Sequence, residues 1–216
     1  MTTVLDNSER TAALAELPGW RYTLSSLHAV YECESVSAAL ALIQAIGQAA
    51  ETQDHHPDLD WRSRHVFLRS TTHSERGQVT AKDIDLARAI SAAASDVSAQ
   101  ARPELIRVLE IAIDTTDPAA ISDTWATALG YRDRGTGDLI DPWSRLPTIW
   151  FQKTDTPDPS RIHLDLTVED STADAVLADI TAHGGRRIED GFRPSFTVVA
   201  DAQENRLCIC TNLGRD

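Results

Sequence analysis

Apolar residues recur at helical spacing in three stretches of the first half of the chain. Ala12, Ala13, Leu14, Ala15 and Leu17 follow polar cap candidates that start at Asp6, and Pro18-Gly19 stops the run, which predicts a helix over 6–17. Residues 21–33 alternate and read as two strands with a turn near Ser25-Ser26. Behind Ser37, as its cap, Leu40, Ile43, Ala45, Ile46, Ala49 and Ala50 repeat with a helical period. That helix should run out at His55-His56-Pro57, because the residue before a proline is pushed out of the helical region. Glu51 and His55 are then i and i+4 neighbours stacked on its last turn. Residues 61–72 read as one strand, and Thr80 opens a third helix in which Asp83 completes a capping box before Ile84, Ala87 and Ile90. The reading is α+β: an antiparallel four-stranded sheet with helices on one face.

From 91 to 103 the pattern dissolves into Ser, Ala, Gln and a proline, the composition of a helix end passing into a linker. This places a boundary near Gln100 and divides the chain into 1–100 and 106–216. The second half holds a weak internal repeat. Glu110-Ile-Ala-Ile-Asp-Thr-Thr-Asp117 and His163-Leu-Asp-Leu-Thr-Val-Glu-Asp170 each set an alternating strand ahead of an aspartate that begins a helix. The helices run to Gly130 and to Gly184-Gly185, and strand-like runs follow at 148–152, 197–199 and 207–210. The expected architecture is a duplicated βαβββ unit.

At 216 residues the chain accommodates two cores, since domains cluster at ~100 to 150 residues. Hydrophobic content of 42% with 25% charged residues belongs to a globular protein. A formal charge of −13, with no cluster of Lys and Arg, excludes a broad nucleic-acid footprint. No apolar run approaches the ~20 residues that span a bilayer, and the first eighteen residues lack a signal-peptide pattern, so the expected location is the cytoplasm, away from membranes. Cys33, Cys208 and Cys210 form neither a disulfide framework nor a C-x-x-C pair. His28, His65 and His183 carry no pattern, although His183 sits at a helix end where it can meet the last carbonyls.

The candidate chemistry lies between Glu51 and Asp83. His55, His56 and His73 together would make a metal-free acid/base site, because an imidazole with a pKa of ~6.5 gives and takes protons near neutrality. Glu51, Asp54, His55-His56-Pro57-Asp58, then Thr72-His73, Gly77, Val79, Thr80 and Asp83, with Leu17-Pro18-Gly19-Trp20 upstream, resemble the pterin-4a-carbinolamine dehydratase family over about 14–93. The resemblance implies a lyase that dehydrates 4a-hydroxytetrahydrobiopterin to quinonoid dihydropterin, with a small-molecule pterin substrate, no cofactor and a homodimeric or homotetrameric assembly. It implies His56 as base, His73 as the group assisting departure of the hydroxyl, and His55 orienting the pterin while Glu51 holds its ring. Asp54, Trp61 and Asp83 are then substrate-binding or supporting residues, Asp54 at the helix end and Asp83 at the helix cap. The family pattern expects an aromatic six positions after the proline, where this chain has Ser63; Trp61 shares its face if the strand is regular and can supply the stacking surface.

The second half, through Ile149-Trp150-Phe151-Gln152 and Arg161-Ile162-His163-Leu164-Asp165-Leu166, is similar to the glyoxalase-like branch of the vicinal oxygen chelate superfamily over about 106–212. That superfamily's four metal positions correspond here to Glu110, Gln152, His163 and Cys208. Only Glu110 and His163 are good ligands for a hard divalent ion, so no metal is expected, with these two as the residual candidates. His163 equally suits a hydrogen-bonded core position. The first half is thus expected to carry catalysis and the second to bind a ligand or aid assembly. The alternatives are a non-catalytic small-molecule binding protein and a metal-dependent glyoxalase- or dioxygenase-type enzyme using the second half.

Overall fold

The computed structural model describes residues 3–156, 161–200 and 206–214, apart from the side chains of Thr124 and Ala128. The chain divides into two compact units, and the division falls between Ile106 and Arg107.

In the first unit, α1 (Asn7–Ala15) starts at Asp6, which accepts from the Glu9 N–H at 2.8 Å while Glu9 accepts from the Asp6 N–H at 2.9 Å. This reciprocal pair satisfies two donors that a bare helix start would leave open. β1 (Trp20–Thr23) and β2 (Ser26–Glu32) form a hairpin whose two-residue turn puts Leu24 (φ 48°) and Ser25 (φ 65°) in the left-handed region, as the right-handed twist of paired strands favours. α2 (Val36–Gln53) is capped by Ser35, not by Ser37: the Ser35 hydroxyl accepts from the Ala38 N–H at 3.1 Å. Its buried residues Ala39, Leu42, Ile46 and Ala50 lie on one stripe.

The expected single strand over 61–72 is a hairpin, β3 (Asp58–Arg62) and β4 (His65–Ser70), turning at Ser63-Arg64. A turn built without Gly, Asn or Asp leaves no mark in the composition, and Ser63 adopts a positive φ of 54° to make it. α3 (Ala81–Asp96) begins at the Thr80–Asp83 capping box, as the sequence suggests. The expected linker is partly structured: β5 (Gln100–Ala101) pairs with β2 at Tyr31 and Glu32. The sheet is antiparallel, in the order β1-β2-β4-β3, with β5 as a short fifth member on β2. Leu27, Ala29, Tyr31, Val66 and Leu68, all on one sheet face, form the core with Leu42 and Ile46 of α2 and Ile84, Ala87 and Ile90 of α3.

The second unit repeats strand, helix and three strands: β6 (Arg107–Thr115), α4 (Ser122–Leu129), β7 (Arg132–Asp133), β8 (Leu139–Ile140) and β9 (Thr148–Lys153), then β10 (Ile162–Val168), α5 (Ala173–Ala182), β11 (Arg186–Glu189), β12 (Phe196–Ala200) and β13 (Arg206–Cys210). The sheet order is β11-β12-β13-β10-β6-β9-β8-β7. First and last strands of each copy pair in parallel, and the copies join along the antiparallel β6–β10 seam. Asp117 and Asp170 stand at short 3₁₀ turns that precede α4 and α5 rather than capping the helices directly. Gly130 ends α4 in the left-handed conformation at φ 68°, which only glycine adopts without cost. α5 packs Ala173 and Leu177 on Val168, Val199 and Ile209, while Trp125 of α4 packs on Ile113, Leu139 and Ile149, so each copy has its own core.

Candidate functional sites in the two units

α2 ends when Asp54 turns left-handed (φ 46°, ψ 48°), with its N–H returning to the carbonyls of Ala50 and Glu51. This reversal sends His55 inward. Its Nε2 lies 2.8 Å from Asp83 Oδ1, and the ring is 8% exposed against 0% for the carboxylate. Asp83 gathers three further groups: Ser70 Oγ donates to Oδ1 at 2.7 Å, and Oδ2 accepts from Thr72 Oγ1 at 2.7 Å and from the Thr80 N–H at 2.9 Å. Burial alone would raise the Asp83 carboxyl, but the hydrogen bonds from His55, Ser70, Thr80 and Thr72 outweigh it and hold the group below the ordinary carboxylate range. An ionised carboxylate only accepts, so His55 carries its proton on Nε2.

The pairing differs from the expectation that Glu51 steadies His55. Glu51 Oε1 lies 3.3 Å from Nε2 of His56, whose side chain is 59% exposed. Asp83, expected to bind substrate, is enclosed with its acceptor sites occupied; it fixes the loops that carry the histidines. Asp54 contributes its backbone: its carbonyl accepts from Lys82 Nζ at 3.5 Å, which joins the end of α2 to the start of α3. His73 is exposed and opens a 3₁₀ turn, directly after Thr72, which Asp83 anchors. Asp83 therefore ties the His55-His56 segment to the Thr72-His73 segment.

Trp61 is 41% exposed, and its Nε1 donates to the Ser63 carbonyl. In the β3–β4 register Trp61 opposes Val66, so it lies on the sheet face that also carries Ser70 and the core. Ser63 is in the turn, not on a strand face beside Trp61 as expected. On the opposite face His28 stands across from Arg69, and burial, then that guanidinium, lower its pKa to about 4 against a backbone hydrogen bond at Thr23 that raises it.

The second unit contains a cavity of about 310 Å³. His163 and Asp165, two residues apart on β10, line it together with Trp150 and Gln152 of β9, Asp114 of β6 and Cys208 of β13. Trp150 Nε1 donates to Asp165 Oδ2 at 3.2 Å, and its ring meets that of His163 edge-on at 6.1 Å. The donor atoms of His163, Asp165 and Cys208 all lie within 4.8 Å of one another. Of the four positions read from sequence, Gln152, His163 and Cys208 line the cavity. Glu110 is buried opposite Asp165 in the strand register and is not among the grouped donors. Asp165 was missed, although its i, i+2 spacing from His163 on a strand already puts both on one face.

The family model described as "Pterin 4 alpha carbinolamine dehydratase" matches residues 3–93, and the one described as "Glyoxalase-like domain" matches residues 110–210. A Nocardia farcinica protein named "Putative pterin-4-alpha-carbinolamine dehydratase" is 44% identical over 91 residues, which cover 42% of this chain and 95% of that protein. A Thermomicrobium roseum protein of the same name is 36% identical over 91 residues, 42% of this chain and 97% of its own length. The crystal structure of a transcriptional coactivator/pterin dehydratase from Brucella melitensis is 31% identical and covers 43% of this chain and 99% of that chain, with a TM-score of 0.41. Through its first unit the chain belongs to the pterin-4a-carbinolamine dehydratase family, and its second unit is a glyoxalase-like domain.

Proposed function

We propose that the first unit dehydrates 4a-hydroxytetrahydrobiopterin to quinonoid dihydropterin, and that the second serves as a ligand-binding or assembly module. The observation that carries this reading is the Asp83 hub, which joins the segments bearing His55-His56 and His73 in a chain of this family. The reaction expels a ring hydroxyl as water and takes a proton from the neighbouring ring nitrogen, so one group donates a proton while another accepts one. His56, exposed and next to Glu51, is the base; His73, also exposed, protonates the departing hydroxyl. His55 holds its Nε2 proton toward Asp83 and acts by orienting the pterin. Proton transfer by a positioned group is worth ~10² to 10⁴ in rate. Exposed Trp61 offers a stacking face for the flat substrate.

The test is the dehydration rate of enzymatically generated 4a-hydroxytetrahydrobiopterin. Wild-type protein should accelerate it, and H56A and H73A should each lower that rate by roughly tenfold or more while circular dichroism stays unchanged. A wild-type rate equal to that in buffer would sink the proposal. Light scattering on the same preparation measures whether the chain assembles as a homodimer or homotetramer.

A further inference from the structure

We infer that the cavity of the second unit binds a pterin, with Asp165 accepting the adjacent N–H groups of its 2-amino-4-oxopyrimidine edge. The choice of ligand rests on the dehydratase reading of the first unit and deepens the ligand-binding role proposed for the second.

Asp165 supplies the recognition. Leu166 and Val168 of β10 pack on the α5 core, so alternation puts His163 and Asp165 on the opposite face of the strand. Asp165 is 4% exposed; its Oδ2 accepts from Trp150 Nε1 at 3.2 Å, and its Oδ1 receives no hydrogen bond among the described residues. His163 Nε2 is 3.6 Å from Oδ1, too far for a hydrogen bond. A buried carboxylate oxygen without a donor is costly, and a ligand that brings one removes the cost. Each carboxylate oxygen can accept more than one donor, so Oδ1 and the remaining lone pair of Oδ2 together match two adjacent N–H groups. The ring N–H and exocyclic amine of a pterin are such a pair.

The walls suit a flat ring. Trp150, Phe192 and Phe196 line the cavity, and the two phenylalanines are stacked with centroids 4.6 Å apart and planes 12° from parallel. Phe192 is half exposed, which leaves ring surface for a further aromatic layer. The volume of about 310 Å³ lies at the lower end of the ~300 to 1,000 Å³ of small-ligand sites. Arg206 also lines the cavity, so the wall is not uniformly anionic and selects for placed N–H donors rather than for positive charge alone. Gln152 adds an amide donor and acceptor for the other polar atoms of the ring. A chain that binds pterin at both units holds a local supply for the first.

The experiment titrates the full chain by calorimetry with pterin, with lumazine, which has a carbonyl in place of the 2-amino group, and with guanosine, which carries the same edge on a purine. Wild type is expected to bind two pterins per chain and D165N one, the second site losing roughly tenfold or more in affinity. Lumazine sets an acceptor against Asp165 but a partner against an amide, so D165N should not weaken lumazine, a reversal that mere structural damage would not produce. Guanosine should bind the Asp165-dependent site at least tenfold more weakly than pterin, because the cavity must also house its ribose. Val198 lines the cavity from β12, and V198F should remove the same site by filling it with the carboxylate intact; it carries the test if circular dichroism shows that D165N does not fold. One pterin per wild-type chain and none in D165N would support this site while counting against the first-unit one. Equal pterin binding by wild type and folded D165N or V198F, lumazine as tight as pterin at the Asp165-dependent site, or guanosine tighter than pterin overturns the assignment.

Discussion

His55 Nε2 and Asp83 Oδ1 lie 2.8 Å apart in a site where the carboxylate is fully buried and the imidazole nearly so. The pair joins residues 28 positions apart in sequence, and the same carboxylate holds Ser70, Thr72 and the cap of α3. Exchanging one carboxylate oxygen for an amide NH2 therefore takes the acceptor from the donors that oxygen held and sets another donor against them. D83N is expected to lower the unfolding free energy by roughly 3 kcal/mol, since breaking a buried charged network costs more than any one of its bonds is worth. Urea denaturation measures it; an unchanged midpoint would show that the network adds nothing to stability.

Acid should weaken the fold in two separate steps. The His28 pKa is lowered to about 4 by burial and then by Arg69, whereas the unfolded residue takes up a proton near ~6.5. Its contribution is complete above ~6.5 and is lost as the pH falls toward 4, because only the unfolded chain gains the proton in that window. Asp83, whose folded pKa is also lowered, contributes fully above the unfolded carboxylate value of ~3.9 and loses that contribution at lower pH. Melting curves of H28Q should be flatter than wild type between pH 6.5 and 4 and should keep the steep loss below it. A wild-type melting temperature constant over that upper window would contradict the account.

Trp61 should matter for substrate and not for the fold. With its side chain 41% exposed, W61A is expected to change stability by no more than ~0.5 kcal/mol. Loss of a stacking surface worth ~0.5 to 1.5 kcal/mol should raise KM for the pterin by roughly two- to twelvefold, with W61F close to wild type. Steady-state kinetics on both variants check this, and equal KM values for W61A and wild type would remove Trp61 from the site.

The start of α2 can be tested independently of chemistry. S35A should destabilise the first unit by about 1 kcal/mol through loss of the cap to the Ala38 N–H, whereas S37A should cost less than about 0.5 kcal/mol. Equal effects of the two substitutions in urea titrations would place the cap elsewhere.

Much of the architecture was legible from short-range pattern. The helix start at Asp6, the capping pair Thr80–Asp83, the apolar stripe of α2 and the repeat from Glu110 to Asp117 and from His163 to Asp170 all express rules that act within a few residues. The candidate histidines could be collected in the same way, because their types and spacing carried the family resemblance. Their partners could not be read so. Spacing assigned Glu51 to His55, but the left-handed turn at Asp54 ends the helix before His55 and directs that ring toward Asp83, while His56 remains beside Glu51. The turn at Ser63 likewise split one expected strand into two, and β-pairing set Asp165 against Cys208, residues 43 apart that local pattern never relates. Periodicity records which face a side chain takes on its own element. Which group meets it there depends on chain reversals and long-range registers, whose energies come from burial and hydrogen bonding across the whole fold.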